Sequence, residues 1–165
     1  MLKQISLLIL CAVAIVLFAT PVHACTSAVV SGKVTLDGRP LLWKNRDTDF
    51  MRNHVDYVKG ERYDFIAVVN SANAYLKEAW MGTNSAGFAL MNTQSYNLVD
   101  VKGDEERGAA NGRVIYRALE VCATVADFCY FLDTISKPSD IEANFGVIDA
   151  QGGACLLYTS PSPRD

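Results

Sequence analysis

Histidine is almost missing from this chain: there are two, His23 and His54. Only His54 falls in what reads as folded protein, in a polar stretch expected to be a loop. A papain-like Cys-His pair therefore has a poor inventory, and a zinc site built from Cys and His has too few ligands. No C-x-x-C motif occurs. Lys and Arg number 15 against 18 Asp and Glu, for a formal net charge of −3, with no basic stripe. That balance argues against nucleic-acid binding. The segment Gly82-Thr83-Asn84-Ser85-Ala86-Gly87 is no phosphate loop, because no Lys-Ser/Thr follows and no helix opens there. It reads as a turn, and Asn84 as a turn residue. No internal repeat and no cofactor signature is visible.

What the chain does have begins with a leader. Lys3 supplies a positive start, Ile5 to Ala19 is apolar, and Pro21 precedes Val22-His23-Ala24. Small residues at −3 and −1 mark a signal-peptidase site. Residues 1–24 are thus expected to direct export, to the periplasm or outside, and to be removed before Cys25. The apolar run is short for a membrane span, so none is expected to remain after cleavage. At the other end, Cys155 to Asp165 reads C-L-L-Y-T-S-P-S-P-R-D. Back-translated, it resembles a transposase mosaic end followed by a sequencing adapter. The native sequence is expected to stop after Ala154, which leaves about 130 residues and one modest core.

Within residues 25–154 the coarse pattern is strands, two helices, then a strand. Thr26 to Ser31 and Leu41 to Asn45 read as strands of a hairpin closed by Leu36-Asp37-Gly38-Arg39-Pro40. Arg52 to Glu61 reads as a polar loop and Asp64 to Asn70 as a strand. Tyr75 to Met81 is expected to pair with Phe88 to Thr93. After a charged loop at Lys102 to Gly108, Asn111 is placed as the cap of a helix with Ile115, Ala118, Leu119 and Cys122 on its apolar face. Thr124-Val125-Ala126-Asp127 forms a capping box for a second helix, with Val125, Phe128, Cys129 and Leu132 inward. Asn144 to Ala150 is the final strand. This order points to an α+β fold.

The cysteine left at the cleavage point carries the chemistry. Cys25 as a mature N-terminus has a thiol and a free α-amine on one residue. The amine's ordinary pKa lies near neutrality, so it suits a general base for its own thiol. The rival reading is a lipoprotein cysteine on a non-catalytic exported or binding domain. Val22-His23 matches a lipobox poorly, and a strand begins at once where an anchor needs a flexible linker. Cys122 and Cys129 remain as a possible disulfide pair, leaving Cys25 as the odd thiol.

Cys25-Thr26-Ser27, an Asp-Gly turn, then Trp43-Lys44-Asn45-Arg46-Asp47 resembles the start of the linear-amide C–N hydrolases. These N-terminal nucleophile (Ntn) enzymes include choloylglycine hydrolases, penicillin V acylases, acid ceramidase-like amidases and acyl-CoA:6-aminopenicillanate acyltransferases. The resemblance implies an αββα Ntn sandwich, here with only its N-terminal portion, and a linear acyl-amide as the small-molecule substrate. It implies a thioester acyl-enzyme and no metal or organic cofactor. By position, Cys25 matches the nucleophile and Asp47 the aspartate that holds the α-amine. Lys44 stands where the family has an arginine, and Arg46, one residue from Asp47, is a rival cation for the substrate. Gly87 to Asn92 resembles the oxyanion-hole segment, with Asn92 or its neighbour Thr93 as the donor. The family's later residues fall beyond this chain, so the fragment as written is expected to be inactive.

Overall fold

The computed structural model describes residues 25–72, 74–95, 109–135 and 141–158. The leader, the charged loop at 102–108 and residues 159–165 lie outside them. The described strands are β1 (Thr26–Val30), β2 (Leu41–Asn45), β3 (Asn53–Val58), β4 (Phe65–Asn70), β5 (Met81–Asn84), β6 (Ala89–Gln94), β7 (Ala143–Ile148) and β8 (Ala154–Leu157). The helices are α1 (Ala109–Val121) and α2 (Val125–Thr134), between β6 and β7. β1 and β2 form a two-stranded sheet, while β3 to β8 form a six-stranded sheet in chain order. All pairings are antiparallel. This is an α+β arrangement, as the order of elements implied.

Alternation along the strands sorts the two faces of the large sheet. Phe65, Ala67 and Leu90 with Phe145 and Val147 join Ile115, Ala118, Leu119 and Phe128 of the helices in one buried core. Phe128 anchors it, with ring centroids 5.4 Å from Phe145 and 6.1 Å from Phe88. The opposite face receives the β1–β2 hairpin. There Gly146 is the seat: a Cβ added to it would lie 2.6 Å from Met91 Cε, 2.9 Å from Val29 Cγ2 and 3.3 Å from Leu42 Cδ1. Any side chain at 146 takes up the space that the hairpin's Val29 and Leu42 fill.

Several expectations hold and several are corrected. The hairpin pairs Thr26 with Asn45 and Val30 with Leu41. The capping box is present, with Thr124 Oγ1 accepting from Asp127 N at 3.0 Å and Asp127 accepting from Thr124 N. The helix faces named from the sequence are buried at Ile115, Ala118, Leu119, Cys122 and Phe128. The segment read as a polar loop from Arg52 to Glu61 contains β3. Among the described residues β3 is an edge strand paired only with β4, so Val55 and Tyr57 stay exposed and its composition looks like a loop. The strand expected over Tyr75 to Met81 starts only at Met81, after a 3₁₀ turn at Ala74–Leu76.

Asn111 is not a cap. It lies inside α1, fully buried, where its amide donates to Glu142 O at 3.0 Å and accepts from Glu142 N at 2.8 Å. A side chain that copies a backbone pair tethers the helix to the start of β7, which sequence rules for caps do not foresee. Asn84 is a turn residue and more. Its Oδ1 accepts from Ala86 N and Phe88 N, and its Nδ2 donates to Leu119 O and Cys122 O. β8 takes in Cys155 to Leu157, with Cys155 opposite Val147. The four described cysteines are free thiols.

The Gly146 seat yields the first prediction. Gly146→Val should cost about 1–3 kcal/mol and speed hydrogen exchange in β1 and β2 while α1 and β4 keep their protection. Unchanged exchange in the hairpin would show that the seat is not tight.

Candidate active site

The site lies where β1 begins and β2 ends. Cys25 immediately precedes β1, and the register Ser27↔Lys44 brings the last turn of the β2 chain back beside it. Cys25, just ahead of β1, and Ser27, Val29 and Val30 within it are half-buried, as are Leu42 and Lys44 of β2. Cys25 is half-buried, and its thiol donates to the Asp47 backbone oxygen at 3.6 Å. Asp47 as a residue is exposed.

Lys44 crosses from the hairpin to the large sheet. Its ammonium donates to the Trp80 carbonyl at 3.1 Å and to Asn92 Oδ1 at 3.0 Å. Burial pushes its pKa down from 10.5 to about 8; the charge of Cys25 works against that fall, and Arg46 adds to it. Asn92 sits in β6 opposite Phe145 and is 3 % exposed. Its acceptor oxygen is occupied by Lys44, so any oxyanion it meets must be held by its NH₂ group or by backbone N–H. Thr93 follows it on β6, opposite Asn144.

Arg46 is the second cation. It donates to Asn70 Oδ1 at 2.8 Å and to Asn53 Oδ1, and its guanidinium carbon lies 4.9 Å from the centroid of the Trp80 ring. Burial lowers its pKa, and the charge of Cys25 opposes the shift. Both cations therefore share one electrostatic partner, the sulfur of Cys25. The sequence left open which of the two faces the substrate; in the structure both lie within electrostatic reach of Cys25.

The residues that sequence reasoning missed are the ones that hold these cations. Trp80, Asn53 and Asn70 carry no motif. Asn70 ends an apolar strand and Trp80 falls in a segment read as strand interior. Gly112 is a third omission. A Cβ there would lie 2.9 Å from Glu78 Cβ and 3.4 Å from Trp80 Cη2, and Ala79 N donates to Gly112 O at 3.0 Å. A glycine in α1 thus lets the helix press against the segment that presents Trp80. His54 stands on β3, exposed, with Nδ1 3.0 Å from Ser71 Oγ.

Among the described residues no group of three or more His, Cys, Asp or Glu side chains converges on a metal-sized site, and no helix is long and apolar enough to cross a membrane. An apolar cleft of about 320 Å³ opens between the hairpin and β3 to β5, lined by Leu41, Leu42, Val55, Ile66, Val68 and Met81 among others.

A family model described as "Acyl-coenzyme A:6-aminopenicillanic acid acyl-transferase" matches residues 35–165. The chain belongs to this family, which is of the Ntn-hydrolase and choloylglycine-hydrolase type and comprises acyltransferases and amide hydrolases. The matched span includes Lys44, Arg46, Asp47 and Asn92; it starts after Cys25 and runs through Cys155 to Asp165. No curated protein and no solved structure matches the chain.

The partly buried ammonium has a signature in stability. The Lys44 pKa is about 8 folded against 10.5 for the free side chain. Folding then releases a proton between these values, and stability rises with pH across that window by up to about 3 kcal/mol. Cys122, pushed up to about 12 by burial, works the other way: its contribution is whole below its ordinary pKa and is lost as pH climbs towards 12. Urea unfolding of the protein and of Lys44→Met, compared at pH 7 and near pH 10, removes the shared effect of Cys122. The rise should be present in the parent and absent in Lys44→Met; identical pH profiles would mean Lys44 is not buried as a cation.

Proposed function

We propose that this chain is the nucleophile-bearing part of an exported Ntn amidase or acyltransferase that acts on linear acyl-amides through Cys25. Removal of residues 1–24 frees the Cys25 α-amine. That amine takes the thiol proton as sulfur attacks the acyl carbon, and the carbonyl π pair moves onto oxygen. Collapse of the tetrahedral species breaks the C–N bond, and the α-ammonium returns the proton to the leaving amine. A thioester remains on Cys25. Water or an acceptor amine then attacks it, with the α-amine again as base. Asp47 orients the ammonium, and Lys44, with Asn92 beside it, meets the negative charge that develops on oxygen. Arg46 adds a second cation on the substrate side.

The observation that carries this reading is that two partly buried cations, each held from the large sheet, lie within electrostatic reach of one half-buried thiol. A structural cysteine needs no such surroundings, and a lipid-anchored cysteine on a flexible linker would not sit in them. The layers support a sandwich of the αββα kind: helices cover one face of the six-stranded sheet, and the hairpin lies on the other. The apolar cleft over Ile66, Val68 and Met81 is the kind of sheet face that a second, wider sheet covers.

With the exported gene product, Cys25→Ser should lower turnover of N-acyl amides by at least ~10³-fold while leaving the far-ultraviolet circular dichroism unchanged. The mature chain should start with an unmodified Cys25 by intact mass. Full activity in Cys25→Ser, or a diacylglyceryl adduct on Cys25, would contradict the proposal.

A further inference from the structure

Trp80 touches both cations, each in a different way. Its carbonyl accepts from Lys44 at 3.1 Å, and its ring lies under Arg46 with the guanidinium carbon 4.9 Å from the centroid. Its own backbone is fixed twice, by Trp80 N donating to Val68 O at 3.0 Å and by the neighbouring Ala79 N donating to Gly112 O at 3.0 Å. The ring carries a cost as well. Trp80 Nε1 is buried and finds no hydrogen-bond partner. A phenylalanine would fill much of the same space without stranding an N–H, so packing alone does not favour tryptophan here. What tryptophan offers over phenylalanine is the strongest ring face for a cation.

We propose that Trp80 is the positioning residue of the site, placing Lys44 through its carbonyl and Arg46 through its ring so that both stand beside Cys25. This rests on the reading of Cys25 as the nucleophile. The carbonyl contact survives any substitution, so side-chain variants isolate the ring. Loss of the ring frees Arg46 to swing on its two asparagine contacts and weakens the field at the sulfur. The effect passes through Arg46 alone.

The test uses the chain as it stands and does not depend on turnover. The rate of Cys25 alkylation by iodoacetamide at neutral pH is read from the Cys25 peptide by mass spectrometry. Five proteins are compared: the parent, Trp80→Phe, Trp80→Leu, Arg46→Met, and Trp80→Leu combined with Arg46→Met. Trp80→Leu should slow alkylation by roughly 3-fold or more, with Trp80→Phe in between. In the Arg46→Met background Trp80→Leu should add nothing. Trp80→Phe removes the stranded donor and should melt no lower than the parent although its thiol reacts more slowly, a split that a packing role would not produce. Equal slowing by Trp80→Leu with and without Arg46, or parent-like rates in both Trp80 variants, would overturn the assignment. If Trp80→Leu does not fold, Trp80→Phe set against Arg46→Met decides the same question. An unchanged rate in Arg46→Met itself would instead strike at the reading of the site around Cys25.

Discussion

A partly buried ammonium is the constraint on which the site depends. Lys44 is partly withdrawn from water as it reaches Trp80 and Asn92, and a charge so placed is tolerable only while its acceptors stay in position. Those acceptors belong to the six-stranded sheet, whereas Lys44 and Cys25 belong to the hairpin. One side chain thus pins the hairpin that follows the proposed nucleophile Cys25 to the sheet that carries the oxyanion candidate. Its depressed pKa records the cost of that arrangement.

The rest of the architecture serves this join. Glycine at 146 lets the hairpin settle on β7, and glycine at 112 lets α1 press on the segment that ends in Trp80. Asn111 and Asn84 then tie the helices to the sheet, at the start of β7 and in the β5–β6 turn. In each case a small or amide-bearing residue replaces a generic apolar contact with a specific one. The core of Phe65, Phe128 and Phe145 supplies stability, and these residues supply register.

Much of this was legible in the residues. The hairpin, the capping box and the helix stripes follow from short-range rules, because a strand period, a Thr-x-x-Asp spacing and a 3.6-residue stripe are local properties. Cys25, Lys44, Arg46 and Asp47 could be grouped because the hairpin folds them together within one local turn. The misses are all products of long-range contact. β3 looked like a loop because an edge strand is wetted like one. Asn111 looked like a cap because its partner, Glu142, is distant in the chain. Trp80, Asn53 and Asn70 had no signal, since their role exists only once the sheet brings them to Arg46.

The central claim is that Cys25 forms an acyl thioester within this cradle of charge. It is tested most directly by incubating the mature protein with an activated acyl ester and mapping the added mass. A single acyl group on the Cys25 peptide, released by neutral hydroxylamine, is the result expected. Acylation confined to lysines, or spread equally over Cys129 and Cys155, would contradict it.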